Sequence, residues 1–156
     1  MSYSPPPAEP AALPPRAWCL HWVQRVAMVL AGGVLVALLV TASRLTPSPR
    51  WMGTHQQLGL PPCTMVQWFG LRCPSCGMTT SWAHLTRGHL LASLRANSGG
   101  TLLGIASVVC GPWLLVSGLL GRWIVRPPSE WVTLAAGLAI IGVTLIDWAI
   151  RLTFLR

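Results

Sequence analysis

Three long apolar stretches most constrain how this chain of 156 residues can fold. The first runs from Val26 to Ser43, 18 residues without a charge. As a helix, a stretch of this length extends about 27 Å, close to the thickness of the hydrocarbon layer of a bilayer. Two similar stretches follow later in the chain. The sequence therefore predicts an all-α integral membrane protein with three transmembrane helices, at residues 22–44, 101–121 and 131–151.

The charge pattern also fits a membrane protein. Hydrophobic residues make up 53% of the chain and charged residues only 9%, too few to coat a soluble surface. The formal net charge of +8 comes from eleven basic residues, all arginine, which flank the apolar stretches and suit anionic lipid head groups. No basic and aromatic stripe follows the pattern of a nucleic-acid-binding module. The lipid bilayer is thus the predicted partner, and nucleic acid is not.

The remaining segments connect these helices. Residues 1–21 are rich in proline and predict a disordered tail. Residues 122–130 form a turn short enough to make the second and third helices an antiparallel hairpin, and residues 152–156 form a short tail. Pro112 predicts a kink in the second helix, because proline removes a backbone donor. Asp147, four residues before Arg151, predicts an ion pair on the third helix.

The placement of the arginines predicts the orientation of the chain in the membrane. With the cysteine-containing loop inside the cell, seven arginines lie inside and four outside, which favours a cytoplasmic loop. For the first apolar stretch, the interpretation that competes with a transmembrane helix is a signal peptide cleaved near residues 41–43. The long proline-rich segment that precedes the stretch argues against this interpretation. Small residues in the spans allow homo-oligomerisation but do not demonstrate it.

The loop of residues 45–100 carries the chemistry. Cys63, Cys73 and Cys76 fall within fourteen residues, and the last two form a Cys-x-x-Cys pair. A turn of this kind brings both sulfurs to one side, where they either chelate a metal ion or form a disulfide. Either His84 or His89 would complete a zinc tetrahedron with the three thiolates. The five cysteines are an odd number, so at least one thiol stays unpaired within the chain.

After the cysteines, residues 78–96 predict an amphipathic helix at the membrane interface. Met78, Trp82, Leu85 and His89 are spaced so that they share one face. The helix is too short and polar to span a bilayer. The stretch from Asn97 to Gly100 is expected to break it before the second span begins.

The run from Cys73 to Thr79, with the upstream Cys63 and the downstream Asn97, resembles the bacterial domain-of-unknown-function family numbered 2752. That family has a Cys-Pro-x-Cys-Gly-x-Thr motif followed by a hydrophobic helix. This chain departs from the family pattern at Thr80, His89 and Ser98. The resemblance implies a small multi-pass protein of a bacterial inner membrane and implies no activity.

Two functions follow from these observations. The first is a non-enzymatic membrane protein whose three cysteines and one histidine form a structural zinc knuckle, which presents a surface to an unidentified protein partner. The alternative is a membrane thiol–disulfide oxidoreductase that uses Cys73 and Cys76 as the redox pair and Cys63 as a resolving thiol. The sequence contains no hydrolytic triad and no phosphate-binding loop.

Overall fold

A computed structural model describes residues 19–154, and this part of the chain contains helices but no strand. The predicted all-α architecture with three helices long and apolar enough to span a membrane is confirmed. The long helices are α1, α5 and α6, and the segment between α1 and α5 contains only short ones. The elements are α1 (Trp22–Arg44), a 3₁₀ helix (Thr54–Leu58), α2 (Thr64–Phe69), α3 (Met78–Leu85), α4 (Leu90–Ala96), α5 (Ser98–Leu120) and α6 (Glu130–Phe154).

Helices α1 and α5 pack closely because glycines line their contact. A Cβ atom placed on Gly32 would lie 2.5 Å from the backbone nitrogen of Leu115 and 2.7 Å from the carbonyl oxygen of Gly111. Such small residues let helix backbones approach each other in a membrane, where van der Waals packing drives association. At the carboxyl end of α5, the guanidinium of Arg25 from the start of α1 donates hydrogen bonds to the carbonyls of Gly118 and Leu119. This contact satisfies two carbonyls in the last turn of α5.

Helix α6 touches the bundle mainly at its carboxyl end. Gly99, at the start of α5, lies against Thr144, and Asp147 accepts hydrogen bonds from the backbone and hydroxyl of Ser98. Residues 130–139 of α6 are all exposed. The predicted hairpin of α5 and α6 therefore splays open toward its turn, and lipid is the natural cover for the first half of α6.

The single amphipathic helix predicted at residues 78–96 is wrong. The chain breaks between Leu85 and Leu90, where Gly88 adopts a φ of +77°, a conformation that glycine reaches without steric cost. The two shorter helices, α3 and α4, fold against each other and against α5. Ser81 and Ala83 of α3 are fully buried, so α3 lies inside the folded loop rather than flat on a membrane surface.

The predicted break before the second span is confirmed, but it is confined to Asn97, whose backbone is extended between α4 and α5, and does not extend to residue 100. Asn97 ends α4 and at the same time begins α5, because its side chain accepts a hydrogen bond from the backbone of Gly100. The second long helix thus starts at Ser98, three residues earlier than predicted, and it continues through Pro112. Glycines 99 and 100 are helical and packed, Gly99 against Thr144 of α6 and Gly100 against the side chain of Asn97.

The chain ends fall partly beyond the described residues. The disordered tail predicted at residues 1–21 lies outside them up to residue 18. Within that tail, the Leu20 amide donates to the carbonyl of Gly121 at 2.9 Å, which holds the entry to α1 against the end of α5. The predicted tail at residues 152–156 is helical as far as Phe154, and its last two residues lie outside the described part.

Candidate metal centre

The structure brings together the three cysteines of the loop. Cys63 immediately precedes α2, and Cys73 and Cys76 occupy the turn that leads into α3. Their three Sγ atoms all lie within 4.8 Å of one another, and those of Cys73 and Cys76 are 3.0 Å apart. Among the residues that the structure describes, no other group of three or more metal-ligating side chains comes this close.

Backbone amides point at the sulfurs. The N–H of Cys73 donates to Sγ of Cys76 at 3.3 Å. A backbone N–H from Val66, in the first turn of α2, is the main reason that the pKa of the Cys63 thiol is lowered to about 7. Burial acts in the opposite direction on Cys76 and raises the pKa of its thiol to about 12. One thiol is therefore ready to ionise, while another holds its proton until a cation replaces it.

A cavity of about 300 Å³ opens beside the three sulfurs. The cysteines form one wall, and the segment around the 3₁₀ helix forms the other. His55 lies on that second wall, with Nε2 3.3 Å from the carbonyl oxygen of Pro61. His55 carries no signal in the sequence that marks it as a ligand, because it stands eight residues before Cys63 in a stretch with no motif.

The two histidines predicted as ligands lie elsewhere. Neither His84 nor His89 belongs to the cysteine group or lines its cavity. The ring of His84 is instead 5.9 Å from that of Trp51 and 6.2 Å from that of His89. Burial lowers the pKa of His84, and the neighbouring His89 and Arg87 lower it further. These contacts favour a neutral, packed imidazole.

Asn97 fixes the turn that carries Cys73 and Cys76. Its side-chain nitrogen donates to the carbonyls of Pro74 and Cys76, at 3.0 and 3.2 Å. Its oxygen accepts the Gly100 amide at 2.6 Å, and the side chain is only 2% exposed. One buried amide thus joins the cysteine turn to the start of α5. The family resemblance singles out Asn97, and an asparagine just before an apolar run is also a helix-start pattern.

Gly77 lets the cysteine turn approach the bundle. Its φ is +88°, and a Cβ atom there would lie 2.5 Å from the carbonyl oxygen of Ala96 and 2.7 Å from that of Trp51. Both neighbours are backbone atoms, which cannot move aside easily. Only glycine satisfies both the positive φ and the close contact at this position.

A buried polar cluster continues inward from the turn. Hydroxyls from α3, α4 and α5 contact one another at 2.8 to 2.9 Å, and the residues are Ser81, Ser93 and Thr101. The indole N–H of Trp82 donates to the carbonyl of Gly100 at 2.8 Å. On the cavity side, the hydroxyls of Thr54 and Thr80 lie 2.8 Å apart. We call the side chains of Asn97, Ser81, Ser93, Thr101, Trp82, Thr54 and Thr80 the polar knot.

The cysteine-containing segment matches a known family. Residues 63–111 match the family described as protein of unknown function (DUF2752). The match agrees with the family that the cysteine motif resembles, and it extends from the first cysteine of the cluster into α5. No curated protein and no solved structure matches the chain.

Proposed function

We propose that Cys63, Cys73 and Cys76 hold a structural zinc ion, and that the protein is a non-enzymatic membrane protein. The observation that carries the proposal is the meeting of three sulfurs from two separate turns within 4.8 Å. In a tetrahedral zinc site with Zn–S bonds of about 2.3 Å, sulfurs lie about 3.8 Å apart. The Cys73–Cys76 separation of 3.0 Å is shorter than this value and no sulfur pair is more than 4.8 Å apart, so the ion would be admitted by rotation of the cysteine side chains.

The polarity of the surroundings supports metal binding. Three thiolates carry three negative charges, and backbone N–H groups reduce their repulsion by donating to sulfur, as Cys73 does to Cys76. A divalent ion offsets the remaining charge. It also displaces the proton that Cys76 would otherwise keep.

We propose His55 as the fourth ligand. Its Nε2 faces the carbonyl of Pro61, which fixes that nitrogen as the donor and leaves Nδ1 with a free electron pair. Ligating histidines in proteins usually have this arrangement of one nitrogen on a carbonyl and the other on the metal. Because His55 lies outside the group of atoms within 4.8 Å, ligation requires its imidazole ring to move closer to the sulfurs.

The ion would hold together a loop that has little apolar core of its own. It would tie α2, the cysteine turn and the 3₁₀ helix into one unit above the ends of α1 and α5. We also propose that this loop faces the cytoplasm of a bacterial inner membrane. Seven arginines lie on the loop side against four on the other, and thiolates stay reduced and available to zinc in the cytoplasm.

The test is the zinc content of the full-length protein purified in detergent. We expect about one zinc per chain in the parent and none in a Cys73→Ser/Cys76→Ser variant. The matched control is Cys19→Ser/Cys110→Ser, which also removes two thiols but leaves the cluster intact. His55→Ala should retain metal with at least tenfold lower affinity. A parent protein without metal would overturn the proposal, as would equal zinc contents in the parent and the Cys73/Cys76 variant.

Thiol–disulfide exchange is the second candidate, favoured by the 3.0 Å separation between Sγ of Cys73 and Sγ of Cys76. In that reaction the two thiols would form one S–S bond and reduce the disulfide of a partner to two thiols, with both protons passing to the products. Mass spectrometry after alkylation in the cell distinguishes the two candidates. A Cys73–Cys76 disulfide in metal-free protein would favour exchange, and three reduced thiols with bound zinc would favour the structural site.

A further inference from the structure

A second cavity lies on the other side of the cysteine turn, between the folded loop and the carboxyl end of α6. Its volume is about 580 Å³, within the range of small-molecule sites in proteins. The lining combines guanidinium groups with apolar and aromatic side chains. The residues are Trp51, Arg72, Leu94, Arg95, Asp147, Ile150 and Arg151.

One of the three arginines is already paired. Arg151 lies 2.6 Å from a carboxylate oxygen of Asp147, and it also donates to the carbonyl of Ala96. Asp147 accepts further hydrogen bonds from Ser98. The pair therefore carries no net charge, its polar groups are hydrogen-bonded, and it forms part of the cavity wall.

The other two arginines have no such partner. Within residues 19–154, the guanidinium groups of Arg72 and Arg95 make no hydrogen bond and no ion pair. Three arginines and one carboxylate leave two positive charges in the cavity. The backbone of Arg72 is held at the cavity, because the indole of Trp148 donates to its carbonyl at 2.6 Å. The cavity thus presents uncompensated positive charge.

The position of the cavity relates this charge to the membrane. Ile150 lies in the final turns of α6, near the carboxyl end of a helix long and apolar enough to span a membrane, and Ile146, one turn earlier, is 63% exposed. Trp51 and Trp148 lie beside the cavity, and tryptophan is typical of the boundary between lipid and water. A molecule with an anionic head and an apolar tail would fit both surfaces.

We propose that this cavity binds a phosphate group, which the guanidinium groups of Arg72 and Arg95 hold together, and that a membrane phospholipid supplies it. Guanidinium binds phosphate oxygens in a bidentate manner, and basic pockets between membrane helices recognise anionic head groups. The acyl chains would lie along the exposed face of α6. The site is independent of the cysteine cluster and of any metal bound there.

Native mass spectrometry of the full-length protein in detergent tests this proposal with phosphatidylglycerol and phosphatidylcholine as probes. We expect the parent to bind phosphatidylglycerol more tightly than phosphatidylcholine. The Arg72→Gln/Arg95→Gln variant should bind phosphatidylglycerol at least about tenfold more weakly. The control is Arg122→Gln/Arg126→Gln, which removes the same charge from the turn at the opposite membrane face and should bind like the parent.

Two further measurements complete the design. Unchanged melting temperature and zinc content in the Arg72/Arg95 variant would show that the fold is retained. Inorganic phosphate that stabilises the parent but not this variant, with no preference for phosphatidylglycerol, would support the phosphate site but assign it to a soluble ligand. Undiminished phosphatidylglycerol binding by the Arg72/Arg95 variant, or equal weakening in the control, would overturn the proposal.

Discussion

The contact between α1 and α5 and the folded loop above it are held together by different forces. In the membrane-spanning contact, glycines such as Gly32 bring two backbones together, and van der Waals packing dominates. In the loop, the polar knot supplies buried hydrogen bonds between hydroxyl, amide and indole groups. The spanning contact fixes the distance between two helices, whereas the knot fixes the direction of individual groups in the cysteine turn.

This difference indicates where a precise geometry is needed. Hydrogen bonds depend on angle as well as distance, so a buried, satisfied network specifies one arrangement better than apolar packing does. The network reaches the turn that carries Cys73 and Cys76 through the side chain of Asn97. Two helices in lipid need no such precision, but a set of metal ligands does. The contrast predicts that variants of the loop disturb the metal centre and that variants of the spanning contact do not.

The largest effect is expected from Gly77→Ala, which adds a Cβ atom against two backbone carbonyls. We expect the free energy of unfolding to fall by about 3 kcal/mol or more, with loss of bound zinc. Unfolding in an SDS titration and metal analysis measure both quantities. Gly59→Ala is the matched control, because Gly59 also has a positive φ but nothing within 4 Å, and it should cost only about 1 kcal/mol. Equal effects of the two variants would contradict the close contact.

The sequence predicted some of these features and missed others for physical reasons. Hydropathy identifies α1, α5 and α6 because each span must be apolar along its whole length. The Cys-x-x-Cys spacing identified Cys73 and Cys76, because ligands three residues apart meet in one turn, and Cys63 joins them from the start of α2. Asn97 and Gly77 lie in the segment that resembles the family, but their roles were not predicted, because these depend on contacts with residues about 20 positions away. Glycines 99 and 100 indicated a break, since the sequence does not show the neighbours that cover them.

The next largest effect is expected in the spanning contact. Gly32→Val should push α1 away from Leu115 and lower the free energy of unfolding by about 2 to 3 kcal/mol. Zinc content should remain at the parental value. Gly33→Val makes the same change at a position with nothing within 4 Å, and it should have little effect in the same SDS titration. Loss of zinc in Gly32→Val would break the proposed separation between the two regions.

A smaller effect is expected from one hydrogen bond of the knot. Trp82→Phe removes the indole donor that contacts Gly100 and leaves that carbonyl without its partner. The free energy of unfolding should fall by about 1 to 2 kcal/mol, with weaker zinc binding. Trp68→Phe is the control, since Trp68 is 75% exposed and should change stability by less than about 0.5 kcal/mol. A zinc affinity equal to that of the parent would argue that the knot does not position the cysteines.

The smallest effect concerns single thiols and leaves the fold unchanged. In EDTA-treated protein, the rate of Cys63 alkylation by iodoacetamide should be half-maximal near pH 7, because the lowered pKa increases the thiolate fraction above that pH. Cys76 should react slowly up to pH 10, because its pKa is about 12. Peptide mass spectrometry separates the two sites. In SDS-unfolded protein both should titrate near about 8.5, and the same behaviour in the folded protein would contradict the described environment.

X-ray absorption at the zinc edge of the detergent-purified protein tests the central claim most directly, because it counts the atoms bound to the metal. We expect one zinc per chain, with three sulfur ligands at about 2.3 Å and one nitrogen ligand at about 2.0 Å. A first shell of nitrogen and oxygen alone, or protein that contains no zinc after purification without chelators, would contradict it.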